Sequence, residues 1–198
     1  VSRLEVLKGV EGQREHFDNL GLHIGYVYGD ADIPASASLF TPSYRAGARL
    51  PHAWLVAAPD ATSPHLPHVP ALDNTYVSEL SAASLSQKQY STLDLCAPGA
   101  FTLICADASH AHHWGPLVAE VHSLLPAKAR QSLKINTAVL GHDFELVKGA
   151  RRNEWVMGLQ LEHGGAVVVR PDQHILNCYG KDTGAREVLQ GLMSHLGL

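Results

Sequence analysis

The sequence predicts an α/β fold, a central mixed sheet with flanking helices, and three stretches carry that prediction. Residues 100–105, Ala-Phe-Thr-Leu-Ile-Cys, are an apolar run of the kind buried on both faces of a sheet. Residues 114–125 then place Trp114, Leu117, Val118, Val121, Leu124 and Leu125 in a helical stripe. Residues 164–179 hold two arms, Val167 to Val169 and His174 to Tyr179, around the turn Arg170-Pro171-Asp172-Gln173. Proline presets φ at the second turn position and Asp suits the third, so the arms fold back antiparallel.

Taken in order, residues 1–22 read as helical, interrupted by Gly9 and Gly12 and capped by Gly21. Residues 24–28 alternate like a strand, and 30–42 are loop. Pro51 imposes an extended lead-in to the strand-like Trp54, Leu55 and Val56. Between 57 and 90, Pro59, Pro64, Pro67 and Pro70 forbid helix and leave no strand period. An insertion or lid is expected there, with a short helix at 80–89. Residues 91–95 form a strand that Asp94 ends, and Cys-Ala-Pro-Gly turns the chain into the 100–105 strand.

Residues 107–113 read as a loop feeding the next helix, which Pro116 starts and Pro126 ends. A strand at 133–140 and a shorter apolar stretch at 144–147 follow. A helix at 151–161 offers Trp155, Leu159 and Leu161 to the core. After the hairpin, Ala185, Val188, Leu189, Leu192, Met193 and Leu196 recur at helical spacing and cover one sheet face. A β-α-β unit followed by β-β-α is the thioredoxin-like arrangement. Fold alone assigns no function.

With 198 residues, 45% of them apolar, the chain can bury the core of one principal domain. A formal charge of −4 leaves no basic footprint for nucleic acid or an anionic membrane. No apolar run approaches spanning length, and no signal-peptide layout opens the chain. Neither nucleic acid nor membrane is therefore an expected partner. Cys96, Cys105 and Cys178 stand far apart without a C-x-x-C pair, which fits a reducing, cytoplasmic setting. The chain opens at Val1, without methionine, and Leu4, Leu7, Phe17, Leu20 and Leu22 lack local apolar partners. A piece of a longer protein is expected, a trimmed short protein being the alternative.

Three constellations bear on chemistry. His110, His112 and His113 could converge on a divalent ion, but no further ligand is evident, so no metal site is assigned. His65 and His68 read as exposed loop residues. A thiol enzyme of this fold needs a cysteine at a helix N-terminus, and residues 107–115 contain none. Cys105 lies on an apolar strand, where burial raises its pKa, so dithiol catalysis is rejected. No G-x-G-x-x-G follows a strand. Gly164-Gly165 leads into a strand, and Gly29-Asp30-Ala31-Asp32 lacks the glycines of a phosphate loop. Arg49 and His52 stand out, but a structural hydrogen-bonding role is expected for both. No residue is assigned to catalysis, cofactor or metal.

Three segments read together resemble the C-terminal domain of the phenol hydroxylase family of FAD-dependent aromatic hydroxylases. They are Gly47-Ala-Arg49-Leu-Pro51-His52-Ala-Trp54-Leu55, Ser91-Thr92-Leu93-Asp94-Leu95 with Phe101-Thr-Leu103, and Ala166-Val-Val-Val-Arg170-Pro171-Asp172 with His174. Residues 17–28 resemble the join to the catalytic part of that family, which includes phenol 2-monooxygenase, chlorophenol monooxygenases and polyketide hydroxylases. The resemblance implies a terminal helix and linker at 1–28 and a thioredoxin-like domain at 29–198, with a Pro-rich insertion at about 57–90. It implies that FAD and substrate sit on preceding domains of the same chain. The parent would use NAD(P)H to reduce FAD and dioxygen to hydroxylate a phenolic ring. The domain itself would brace the enzyme and help form a homodimer.

Arg49, Pro51, His52, Asp94, Arg170, Pro171 and Asp172 are then structural motif residues. Asp94 is expected to cap a turn or to pair with Arg49 or Arg170. Two departures stand out. Gln173 occupies the place of a family glycine, so the turn lacks an easy positive φ, and Asn177-Cys178-Tyr179 replaces an aromatic-arginine pair. Two other classes stay open: a free-standing interaction or ligand-binding module of this fold, and, more remotely, a metal-dependent enzyme built on His110 to His113.

Overall fold

The computed structural model describes residues 2–30, 33–34, 36–58 and 89–197. Seven strands lie among them: β1 (Trp54–Ala57), β2 (Tyr90–Ser91), β3 (Phe101–Ala106), β4 (Ile135–Leu140), β5 (Phe144–Leu146), β6 (Ala166–Val169) and β7 (Ile175–Tyr179). They form one mixed sheet in the order β2-β1-β5-β4-β3-β6-β7. β3 is parallel to β4, with Leu103 opposite Thr137, and antiparallel to β6, with Ile104 opposite Val167. The β4-β3-β6-β7 half is the thioredoxin-like core, and β5, β1 and β2 widen the sheet beyond β4.

The helices are α1 (Arg3–Gly12), α2 (Arg14–Phe17), α3 (Leu20–Ile24), α4 (Gly115–Leu124), α5 (Ala127–Ser132), α6 (Ala150–Gly158) and α7 (Ala185–Leu196). Alternation along the central strands sorts the core into two layers. Leu103, Cys105 and Val168 face Trp114, Leu117 and Val121 beside α7's Val188 and Leu192. Ile104, Val167 and Val169 face the other way, toward Leu55, Phe144, Trp155, Leu159 and Leu161. One buried tryptophan fixes each layer through its indole N–H. Trp114 Nε1 donates to Gly164 O at 2.9 Å, and Trp155 Nε1 donates to Pro51 O at 2.9 Å.

Several local expectations need correction. Gly21 is not a cap but lies inside α3, where a Cβ would come within 2.4 Å of Ser36 O. Close backbone approach, not turn geometry, requires glycine there. Residues 24–28 make one bridge, Val27 to Ala48, in place of a strand. Thr92–Leu95 is a 3-10 turn, so Asp94 does not end a strand. The expected loop at 107–113 is helical: Asp107–Ser109 is an α turn and His110–Trp114 a π-helical turn running into α4. Leu124 and Leu196 face solvent, at the outer margins of their stripes. The short helix expected at 80–89 and most of the 57–90 insertion lie outside the described residues, as do His65 and His68.

Candidate functional site

The hairpin turn between β6 and β7 gathers most of the motif residues. Gln173 N–H donates to Arg170 O at 3.0 Å, closing the turn over Pro171 and Asp172. Gln173 takes φ +69°, the left-handed conformation that glycine adopts more cheaply. Its side chain offsets that strain from both ends. Arg49 donates to Gln173 Oε1 at 2.6 Å, and Gln173 Nε2 donates to Leu93 O at 3.3 Å. The departure from glycine thus ties the 49–55, 91–95 and 166–174 segments together.

Backbone pairing brings those segments into register. Leu50 N–H donates to Gln173 O and Ile175 N–H to Ala48 O, both at 2.8 Å, and Arg49 bridges His174. Pro51 is buried, and its carbonyl accepts from both Trp155 and the Thr92 hydroxyl at 2.9 Å. His52 Nδ1 lies 2.8 Å from Ser91 Oγ, and its ring meets Trp54 edge-on at 4.6 Å. Arg170 sits 2.5 Å from the Asp172 carboxylate and 4.6 Å from the centre of the Tyr28 ring.

Of the two roles open to Asp94, the structure has the first. Its Oδ2 accepts the Ser91 N–H at 2.8 Å, and Ser91 Oγ accepts from Leu93 N–H, a reciprocal capping box. Arg49 and Arg170 are engaged by Gln173 and Asp172 instead. Asp94→Ala, which takes the carboxylate acceptor from the Ser91 N–H, is expected to cost about 1 kcal/mol of stability, read from urea unfolding. An unchanged midpoint would contradict the capping role.

Sequence reasoning missed the aromatic clasp on this turn. His174 is 3% exposed and forms a three-ring cluster with Tyr26, stacked on it at 5.3 Å and 28°, and Tyr28, edge-on at 4.8 Å, the two tyrosines meeting edge-on at 5.2 Å. Its Nδ1 lies 3.1 Å from Asp172 O. Tyr28 N–H donates to Gly47 O at 2.9 Å, and Gly47 takes φ +84° with Tyr28 O too close for any Cβ. The invitation was visible only as two tyrosines spaced by two residues.

Beyond this clasp the N-terminal arm gains little burial. α1 contributes no buried residue, and Leu4, Val6, Leu7 and Val10 are all more than half exposed. Phe17 is 86% exposed and Ile33 81%. Among the described residues these large apolar side chains stay exposed, the kind of surface that a partner can cover.

The remaining sequence candidates lie elsewhere. His110, His112 and His113 share the π turn, and His113 packs edge-on against Trp114 at 4.6 Å. No group of three His, Cys, Asp or Glu residues among the described ones could hold a metal ion. Burial pushes the thiols of Cys96 and Cys105 up to about 12 and that of Cys178 to about 11. Gly164-Gly165 leads into β6, and a Cβ on Gly165 would lie 2.9 Å from Gln160 O and Tyr179 O. That pair serves close packing and does not fit a dinucleotide cradle, which needs a following helix. Asp30 pairs with Arg45, and residues 31–32 lie outside the described ones. No helix among the described residues is long and apolar enough to cross a membrane.

No protein-family profile matches the chain, and no curated protein matches it in sequence. Solved structures do match in fold. The flavin-dependent monooxygenase PieE, solved in complex with FAD and substrate, aligns with 98% of this chain at TM-score 0.58 and 20% identity. Aklavinone-11 hydroxylase, solved with FAD and aklavinone, aligns with 85% of it at TM-score 0.51 and 18% identity. The chain spans only 29% and 24% of their respective lengths.

Proposed function

We propose that this chain is the C-terminal, thioredoxin-like part of an FAD-dependent, NAD(P)H-using aromatic hydroxylase of the phenol hydroxylase type. In this reading it carries none of the chemistry. FAD and the phenolic substrate are held by preceding domains of the same chain, and this part braces them and contributes contacts to a homodimer. The exposed apolar arm carries the proposal. Exposed apolar surface of this extent favours a partner, and in this reading preceding domains cover Leu4, Leu7, Phe17 and Ile33. The fold likeness to pieces of two flavin monooxygenases supports that partner's identity, because the alignment with PieE covers nearly the whole chain, arm included. A cytoplasmic setting fits the three unpaired, buried or half-buried cysteines.

The test is made on the protein expressed from its complete native reading frame. It is expected to purify with bound flavin and to oxidise NAD(P)H faster when a phenolic substrate is added. Protein without flavin would contradict the proposal. Leu7→Glu and Phe17→Glu, which remove no buried contact of the thioredoxin-like domain, are expected to lower the melting temperature of that complete protein. The same substitutions in residues 1–198 alone are expected to leave melting unchanged. Equal behaviour of the complete protein with and without them would mean that the arm is not covered.

A further inference from the structure

At the end of the sheet where β3 begins, a groove of about 680 Å³ opens between Phe101, the α5 region and the C-terminal turn of α7. Its walls are apolar: Phe101, Ala129, Leu133, Met193 and Leu196. Phe101, Ala129 and Leu133 belong to the core behind it, so the floor is fixed. The groove falls in the size range of small-ligand sites, ~300–1,000 Å³, which are mainly apolar with a few polar groups.

The groove also carries charge of one sign. Lys128 and Lys134 are the charged residues lining it, and no carboxylate lines it among the described residues. The chain as a whole carries a formal charge of −4, so a wall with lysines and no acid runs against the average. Apolar walls select a hydrocarbon or aromatic body, and a cationic rim selects an anionic head. The groove shares no lining residue with the Tyr26–Tyr28–His174 clasp, so it is a separate site.

We propose that this groove binds a small amphipathic carboxylate, its apolar body against Phe101, Leu133 and Met193 and its carboxylate at Lys128 and Lys134. The inference does not depend on a flavin enzyme preceding the chain. It is tested by calorimetric titration of the protein with decanoate below its micellar concentration, with decyltrimethylammonium as the cationic counterpart of the same chain length. Decanoate is expected to bind saturably, one per chain, and the ammonium compound not to bind. Lys128→Glu combined with Lys134→Glu is expected to weaken decanoate about tenfold. Met193→Trp, which fills the groove, is expected to abolish binding. Unchanged thermal melting certifies each variant as folded, and Leu196→Trp, at the exposed margin, replaces Met193→Trp if the latter does not fold.

Equal binding of the two amphiphiles would reduce the groove to a greasy patch and overturn the proposal. Undiminished decanoate binding by the double lysine variant would do the same. Light scattering provides a further outcome: a dimer of the unliganded chain that Met193→Trp splits would assign the groove to a self-interface and overturn the proposal.

Discussion

Trp155→Ala is expected to destabilise the protein by about 4 kcal/mol, the middle of the range for removing a buried aromatic side chain. Trp155 is fully buried, on α6, among Leu159, Leu161, Phe144 and Leu55. Alanine would leave a cavity in the layer that joins α6 to the widened half of the sheet. It would also take from the buried Pro51 carbonyl one of its two donors, leaving the Thr92 hydroxyl at 2.9 Å. Because that carbonyl keeps one partner, most of the loss comes from volume and not from an orphaned acceptor. Trp155→Phe, which retains much of the ring volume and loses the N–H, is expected to cost about half as much. Urea unfolding followed by circular dichroism measures both. A loss under ~1 kcal/mol for the alanine variant would mean that the layer collapses around the gap.

The second large effect is chemical. At pH 8 a thiol with pKa about 12 is thiolate in roughly one molecule in 10⁴, whereas a free cysteine is ionised to roughly a quarter. Cys96 and Cys105, both held near 12 mainly by burial, are therefore expected to react with iodoacetamide about a thousand times more slowly in the native protein than in urea. Negative neighbours add to burial: Asp94 and Asp172 at Cys96, and Asp143 and Asp107 at Cys105. Mass spectrometry of a labelling time course resolves each site, and fast native labelling of Cys105 would contradict its burial beneath α4.

The same shifts set a pH dependence. Unfolded thiols ionise near pH 8.5, while the folded ones retain their protons to about 12. Above pH 9 the unfolded state therefore binds fewer protons than the native state, and stability falls as pH rises. Tyr44, raised to about 12 with burial as the leading cause, adds to that fall above pH 10. The thiol contribution is fully present below pH 8 and is lost as pH approaches 12. Denaturation midpoints at pH 7.5 and 10 read it.

The central half of the fold was legible because it rests on local period. The run at 100–105, the helical stripes and the Pro-Asp turn each carry their geometry in a few adjacent residues, and β3, α4, α7 and the β6–β7 hairpin follow. The 107–113 segment was misread because it lacks an apolar stripe, yet α4 extends backward through a π turn that places Trp114 in the core. β5 and α5 were not legible as elements, being three and six residues long and held by neighbours distant in sequence.

At the candidate site, Arg49, His52, Asp94 and the turn residues could be named from the resemblance, but their partners could not. Gln173 looked like a loss relative to glycine, and its amide turns out to join Arg49 to Leu93. Tyr26 and Tyr28 lie about 150 positions before His174, a separation over which sequence pattern says nothing about contact. The groove beside Phe101 was invisible for the same reason, its walls coming from three distant segments.

The most direct measurement for the central claim is the reading frame upstream of the codon for Val1. An open frame of several hundred codons is expected, in phase with this chain and carrying a G-x-G-x-x-G between a strand and a helix near its start. A stop codon in phase a few codons before Val1, with a start codon between them, would contradict it and leave a free-standing thioredoxin-like module.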